Sequence, residues 1–237
     1  GRLDTVQADP FQANRELERE LCQYTGAPFA VVVNSCTMAI LLACAWHQQG
    51  HGYADEISHV SLPKYTYVGV PYAVREAGFN IEWRDEDWQG EYQLDPLPVW
   101  DAARRFSEGM FNRQNVYRAD GRLIATCIRR DGPRFQCISH HATKILGASQ
   151  GGTILHNVSE ADGWLRRARF DGRAEGVPPA KDSFEMQRAW HCYLSPDVAT
   201  ALRWKLASLP RFNKDLPRDD YPDLSQHPAF RVGKTPA

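Results

Sequence analysis

The chain has 237 residues, with 28 lysines and arginines against 29 aspartates and glutamates, so its net charge is −1. This length suits one substantial domain with at most a small appendage, and the missing basic excess argues against a nucleic-acid binder. No apolar run is long enough to predict a membrane-spanning helix.

The first half of the chain alternates between predicted helices and strands. Asp9-Pro10 is typical of a helix start, and Gly26 is a suitable stop for that helix. The elements predicted after it are a buried strand over 29–33, a helix over 38–48, a strand over 59–62, a helix over 68–76 and a strand over 80–84. This alternation indicates an α/β domain with a mainly parallel sheet.

The second half is less regular. A short apolar run ends at Asp101, and two predicted strands, 123–128 and 135–138, flank Asp131-Gly132-Pro133, a turn sequence typical of a β-hairpin. A strand is expected over 151–155. Ser159 is expected to cap a helix that reaches Phe170, and Ser195-Pro196-Asp197 is expected to open a helix that ends near Leu209.

The composition changes after Leu209, where prolines and aspartates predict an extended tail. The sequence therefore divides into a domain over residues 1–209 and a proline-rich tail over 210–237. We expect the tail from Leu216 to Phe230 to lie extended over the globular domain, its own or that of a partner, with Tyr221, Leu224 and Phe230 as anchors.

The six cysteines lie in apolar or semi-apolar runs without a CxxC pair, which favours buried free thiols over disulfides. We expect no metal site, because the adjacent His140 and His141 near Cys137 would point to opposite faces of a strand. With no signal peptide recognisable in the polar first residues, the sequence predicts a cytoplasmic protein.

Ser35, Cys36 and Thr37 lie between a predicted buried strand and a predicted helix. The N-terminus of a helix offers free N–H groups and a positive dipole end, so hydroxyls there suit a phosphate. The alternative is an ordinary helix cap, which would explain Ser35 or Thr37 alone.

Three other residues have both a functional and an ordinary interpretation. Asp101 at a strand end could pair with a cationic ligand atom, or simply with Arg104 or Arg105. Lys144, close to several glycines, could form a Schiff base or be a solvated surface lysine. The Tyr67 ring could stack on a flat ligand or pack in the core.

Taken in order, these segments resemble the DegT/DnrJ/EryC1/StrS family of sugar aminotransferases, which depend on pyridoxal 5'-phosphate (PLP). The resemblance runs from about Asp9 to Leu209, and the short chain looks like a compact, phage-type branch of the family. The matching segments are Asn34-Ser35-Cys36-Thr37, 63–68, Asp101-Ala102-Ala103, 139–144, Gln150-Gly151-Gly152 and 190–195.

The resemblance implies a fold-type-I, three-layer α/β fold and a role for each matching residue. Lys144 would form the Schiff base with PLP and then move protons, while Asp101 would keep the pyridine nitrogen protonated. Tyr67 would stack on the ring. The phosphate would be bound by Ser35, Thr37 and Ser139, with Cys36 beside them, and from a partner subunit by His191.

The chain also departs from the family pattern. Arg104 stands where the family has Gln or His near the phenolic oxygen, and His191 replaces an asparagine. The interval from Arg84 to Asp101 is too short for an additional strand-helix unit, and most of the C-terminal small domain is missing.

The resemblance implies a homodimer with a shared active site. It would move an amino group from an amino acid, with glutamate the expected donor, to a keto-sugar, expected to be nucleotide-linked. Lys144 argues against the dehydratases of the family, which carry histidine there. The alternative is a homodimer that keeps the fold for binding or structure without turnover.

Overall fold

The computed structural model describes residues 9–49, 57–118, 120, 122–129 and 131–230. Within them the helices are α1 (Gln12–Thr25), α2 (Cys36–Gln48), α3 (Gly69–Ala77), α4 (Ser159–Ala168) and α5 (Pro196–Ala207). The strands are β1 (Phe29–Val33), β2 (His59–Pro63), β3 (Asn80–Arg84), β4 (Tyr92–Gln93), β5 (Val99–Asp101), β6 (Arg113–Tyr117), β7 (Leu123–Ile128), β8 (Phe135–Ser139) and β9 (Gly152–His156).

The central sheet has five strands in the order β1–β9–β8–β5–β4. Strands β1, β8 and β5 run in one direction, and β9 and β4 run in the other. Strands β2 and β3 form a separate parallel pair. An isolated β-bridge between Ser61 of β2 and Asp95, two residues after β4, connects this pair to the central sheet region. The α/β class is confirmed, with a sheet that is mixed.

Both faces of the central sheet are covered by helices. On β1, Val31 and Val33 pack into a core with α2, α3 and α4, while Ala30 and Val32 pack into a second core with α1 and α5. Side chains alternate between the faces of a strand, so an entirely apolar strand serves both cores. The result is the three-layer arrangement expected from the sequence.

The predicted hairpin between 123–128 and 135–138 is wrong. Strand β7 pairs with β6, whereas β8 lies in the central sheet between β5 and β9. Every residue of β8 is buried and every residue of β7 is exposed. The turn sequence Asp131-Gly132-Pro133 favours a hairpin of β7 with β8. The burial that β8 gains between β5 and β9 is the larger effect, so β8 pairs there instead.

Two predicted helix starts are also wrong. Helix α1 begins at Gln12 rather than Pro10, and Asp9 instead accepts the N–H of Phe11 at 3.0 Å, which forms a turn before the helix. Ser159 is the first residue of α4 rather than its cap, because its hydroxyl donates to Glu160 at 2.9 Å. By contrast, Gly26 ends α1 in the left-handed conformation, as predicted.

The tail packs against the domain along residues 210–230. Leu224 and Phe230 are buried, and the Phe230 ring lies 4.9 Å from the Tyr72 ring. The tail is not extended throughout, since Leu224–Gln226 and Pro228–Phe230 form short 3-10 turns. Residues 1–8 and 231–237 lie outside the described residues, and the division into domain and tail stays a prediction.

The cysteines are free thiols, and Cys127 is exposed on β7, contrary to the expected burial. None of the helices in the described ranges combines the length and the apolar character needed to cross a membrane. The same ranges contain no cluster of three or more His, Cys, Asp or Glu side chains that could hold a metal ion.

Candidate functional site

Polar side chains gather at one edge of the central sheet. Because β1, β5 and β8 run in the same direction, their carboxyl ends lie together. Ser35 follows β1, Asp101 ends β5 and Ser139 ends β8. Ligands of open α/β sheets bind outside the carboxyl ends of the strands, so this edge is the expected place for a site.

A cavity of about 360 Å³ lies at this edge. Eight of the nine predicted site residues line it: Ser35, Cys36, Thr37, Tyr67, Asp101, Arg104, Ser139 and Lys144. Other polar and aromatic residues that line the cavity were assigned no role in the site from the sequence; they include Thr66, Trp88, His141, Thr143, Gln150, Asp219 and Tyr221. The volume is within the range of small-molecule sites.

The N-terminus of α2 forms one wall of the cavity. Ser35 caps the helix by accepting the N–H of Met38 at 3.2 Å, so the helix-cap interpretation is correct for this residue. Gly152 passes directly beneath, since a Cβ atom there would lie 2.4 Å from the carbonyl carbon of Ser35. A glycine at position 152 is therefore needed to place the first turn of α2, with Thr37, at the cavity.

Asp101 is buried at the cavity and is held by two donors. Its Oδ2 accepts the Tyr92 hydroxyl and its Oδ1 accepts the N–H of Ala103, both at 2.9 Å. The Tyr92 hydroxyl also lies 2.5 Å from the Thr66 hydroxyl. Burial raises the pKa of Asp101, and these two hydrogen bonds oppose that rise.

The expected alternative for Asp101, an ion pair with Arg104 or Arg105, is wrong. Arg104 pairs with Asp219, and Arg105 pairs with Asp215. Asp101 therefore faces the cavity without an arginine bonded to it in the described part of the chain.

Lys144 is half-buried in the cavity wall, which excludes the solvated-surface interpretation. Burial lowers the pKa of Lys144, and the nearby charge of Arg104 lowers it further, while Asp101 and Asp219 raise it. A lysine with a lowered pKa is a better nucleophile and base at neutral pH than a free one.

The loop that carries Lys144 is fixed by His140. The buried ring lies 3.0 Å from the Leu146 carbonyl through Nδ1 and 2.7 Å from the Thr153 hydroxyl through Nε2. The carbonyl can only accept, so Nδ1 carries the proton and Nε2 accepts from Thr153. Burial lowers the pKa of His140 to about 4, so the ring stays neutral at pH 7.

Aromatic side chains border the cavity. Tyr67 is 54% exposed, so it is not a core residue, and its ring lies close to the backbone at Gly69. Trp88 lies on the inner side, where its Nε1 donates to the Tyr65 carbonyl at 2.9 Å. No local sequence pattern indicates Trp88, since it comes from an irregular segment between β3 and β4.

His191 is the one predicted site residue that does not line the cavity. Its exposed ring lies 2.7 Å from Asp171 through Nδ1. The role expected for His191 is in a partner subunit, so it stays a prediction.

The model of the DegT/DnrJ/EryC1/StrS aminotransferase family matches residues 4–107, in agreement with the resemblance of the motifs. No curated protein matches the chain significantly.

Several solved structures of aminotransferases and of a related dehydratase share the fold of this chain. One is DesV of S. venezuelae in complex with a ketimine intermediate, which is 23% identical with a TM-score of 0.57 over 83% of this chain and 57% of its own. A DegT/DnrJ/EryC1/StrS aminotransferase from Brucella abortus is 17% identical with a TM-score of 0.58 over 84% of this chain and 59% of its own. A variant of GDP-4-keto-6-deoxymannose-3-dehydratase with bound GDP-perosamine is 14% identical with a TM-score of 0.62 over 84% of this chain and 61% of its own. The chain therefore spans less than two thirds of the length of these structures.

Proposed function

We propose that this protein binds PLP and is an aminotransferase that moves an amino group from glutamate to a nucleotide-linked keto-sugar. The match to the DegT/DnrJ/EryC1/StrS family model supports this proposal. One observation carries the proposal: the amine of Lys144, the buried carboxylate of Asp101 and the start of α2 line a single cavity. The Lys144 amine also supports transamination over the dehydratase reaction, for which the family uses a histidine.

The donor set of the cavity fits PLP. Ser35 and Thr37 at the start of α2, with Ser139 at the end of β8, suit a phosphate dianion. Asp101 suits the pyridine nitrogen, and Lys144 suits the aldehyde. When bound, PLP supplies a reactive carbonyl and a ring that takes up an electron pair.

The residues of the chain have separate tasks. The lowered pKa of Lys144 lets its amine accept a proton at Nζ near neutral pH and return it to a neighbouring carbon. Asp101 provides a negative charge that favours a protonated ring nitrogen, and Tyr92 keeps its carboxylate in place. Tyr67, at the exposed side of the cavity, would limit the access of water to bound PLP.

The test is spectroscopic. We expect the protein to bind PLP with a visible absorbance band that disappears when glutamate is added. Borohydride reduction should leave a covalent adduct that mass spectrometry locates on Lys144. Lys144→Ala should abolish the adduct, and the exposed Lys181→Ala should keep it. A band that persists with glutamate would favour the non-catalytic alternative, and an adduct retained by Lys144→Ala would refute the assignment.

We further propose that the protein acts as a homodimer in which His191 reaches the phosphate site of the partner. The exposure of His191 in the single chain agrees with a role outside its own cavity. Mixing Lys144→Ala with His191→Ala protein should restore activity, because one site of each mixed dimer is then intact. Light scattering that finds a monomer with tight PLP binding would contradict the shared site.

A further inference from the structure

The cavity contains an ion pair that none of the tasks above uses. Arg104 donates from both terminal nitrogens to the Asp219 carboxylate, at 2.9 Å and 2.5 Å. Both side chains line the cavity. This two-pronged geometry is the one by which arginine recognises planar carboxylates.

The two partners differ in how firmly they are held. Arg104 is 7% exposed, its Nε donates to the Pro217 carbonyl, and its own carbonyl accepts the N–H of Leu216 at 2.9 Å. Asp219 is exposed and lies in a stretch of the tail without helix or strand. Among the described residues, its carboxylate otherwise accepts only the Tyr221 hydroxyl, at 3.2 Å. The guanidinium is therefore fixed, while its carboxylate partner is replaceable.

The ion pair also lies within electrostatic reach of Lys144. Arg104 lowers the pKa of Lys144 and Asp219 raises it. A carboxylate seated on Arg104 would thus lie near the Lys144 amine, whose place on PLP the amino group of a donor would take. An amino acid carries its carboxylate close to its own amino group. With the carboxylate on Arg104, its amino group could therefore lie near Lys144.

We infer that Arg104 binds a carboxylate of the amino donor, and that Asp219 occupies the position of that carboxylate until the donor arrives. The inference rests on the proposed function. The exchange replaces one carboxylate by another on the same guanidinium, so the number of charge-assisted hydrogen bonds is conserved. Only the Asp219 side chain has to turn away, while Leu216 and Pro217 keep Arg104 in place.

The experiment is calorimetric titration with glutarate, a dicarboxylate that has no amine and does not react, on the protein with and without PLP. Asp219→Asn removes the competing charge and keeps the shape, so glutarate should bind about two- to fivefold more tightly, as expected for a partly exposed ion pair. Asp220→Asn, an equal charge change at the exposed neighbouring residue, should leave binding as in the parent protein. Arg104→Gln should weaken glutarate about tenfold or more, because it removes charged hydrogen bonds.

Several outcomes would overturn the inference. Equal effects of Asp219→Asn and Asp220→Asn would show an unspecific charge effect. Tighter binding of uridine diphosphate but not of glutarate by Asp219→Asn would assign Arg104 to a phosphate. Parent-like glutarate binding by Arg104→Gln, with circular dichroism confirming the fold, would remove Arg104 from the site. Failure of PLP to bind overturns the proposed function instead, while the titration without PLP still tests Arg104.

Discussion

Replacing Tyr92 by phenylalanine removes one buried oxygen next to Asp101. The Tyr92 side chain is 3% exposed, and its hydroxyl joins the Thr66 hydroxyl, 2.5 Å away, to Asp101, 2.9 Å away. In Tyr92→Phe the ring still fills its space, but Oδ2 of Asp101 loses its donor. Only the Ala103 N–H then remains as a hydrogen-bond donor among the described contacts of this carboxylate.

The magnitude follows from that loss. A hydrogen bond to a charged group contributes about 1.5–3 kcal/mol, and in a chain of this size each 1 kcal/mol changes the melting temperature by about 2–4 °C. We therefore expect Tyr92→Phe to melt about 3–12 °C below the parent protein. The hydrogen bond from Tyr92 lowers the pKa of Asp101, so its removal raises that pKa. Asp101 then becomes protonated at a higher pH, and PLP binding should decline earlier as the pH falls.

The assay is thermal unfolding together with PLP titration across a pH series. Tyr117→Phe is the matched control, because the Tyr117 hydroxyl also donates to a buried carboxylate, Asp215, at 2.6 Å but outside the cavity. We expect this control to lose stability and to keep the parent pH profile of PLP binding. A Tyr92→Phe protein with the parent melting temperature and pH profile would refute the reasoning.

Four shorter predictions concern the other walls of the cavity. Thr37→Val should weaken PLP binding about ten- to a hundredfold in equilibrium dialysis, since a hydroxyl donor to a dianion is lost; an unchanged affinity would leave only the structural role of this turn. Gly152→Ala should lower both PLP affinity and the midpoint of denaturant unfolding, because its Cβ would lie 2.4 Å from the Ser35 backbone. Asp101→Asn should retain the fold by circular dichroism and slow the half-reaction with glutamate by orders of magnitude in stopped-flow measurements, and parent-like rates would remove Asp101 from the mechanism. The rate at which Lys144 reacts with PLP should reach its plateau at a lower pH than that of a free lysine, because the pKa of Lys144 is lowered.

The sequence by itself determined those helices, strands and helix ends whose formation depends on residues close together in the chain. The apolar run over β1, the stop of α1 at Gly26 and the strand over 80–84 lie where the pattern predicted them. The ordered motifs also predicted the residues that meet in the cavity, because each follows a strand end, and parallel strands bring their carboxyl ends together.

Only the tertiary structure decided which distant segments pair. Strand β8 lies between β5 and β9 instead of forming the predicted hairpin, since pairing depends on the burial available in the whole sheet. Arg104 and Asp219 are separated by 115 residues, and no local pattern relates them. The same holds for the Tyr92 hydroxyl, because a hydrogen bond to Asp101 exists only once β4 and β5 are paired and closed from water.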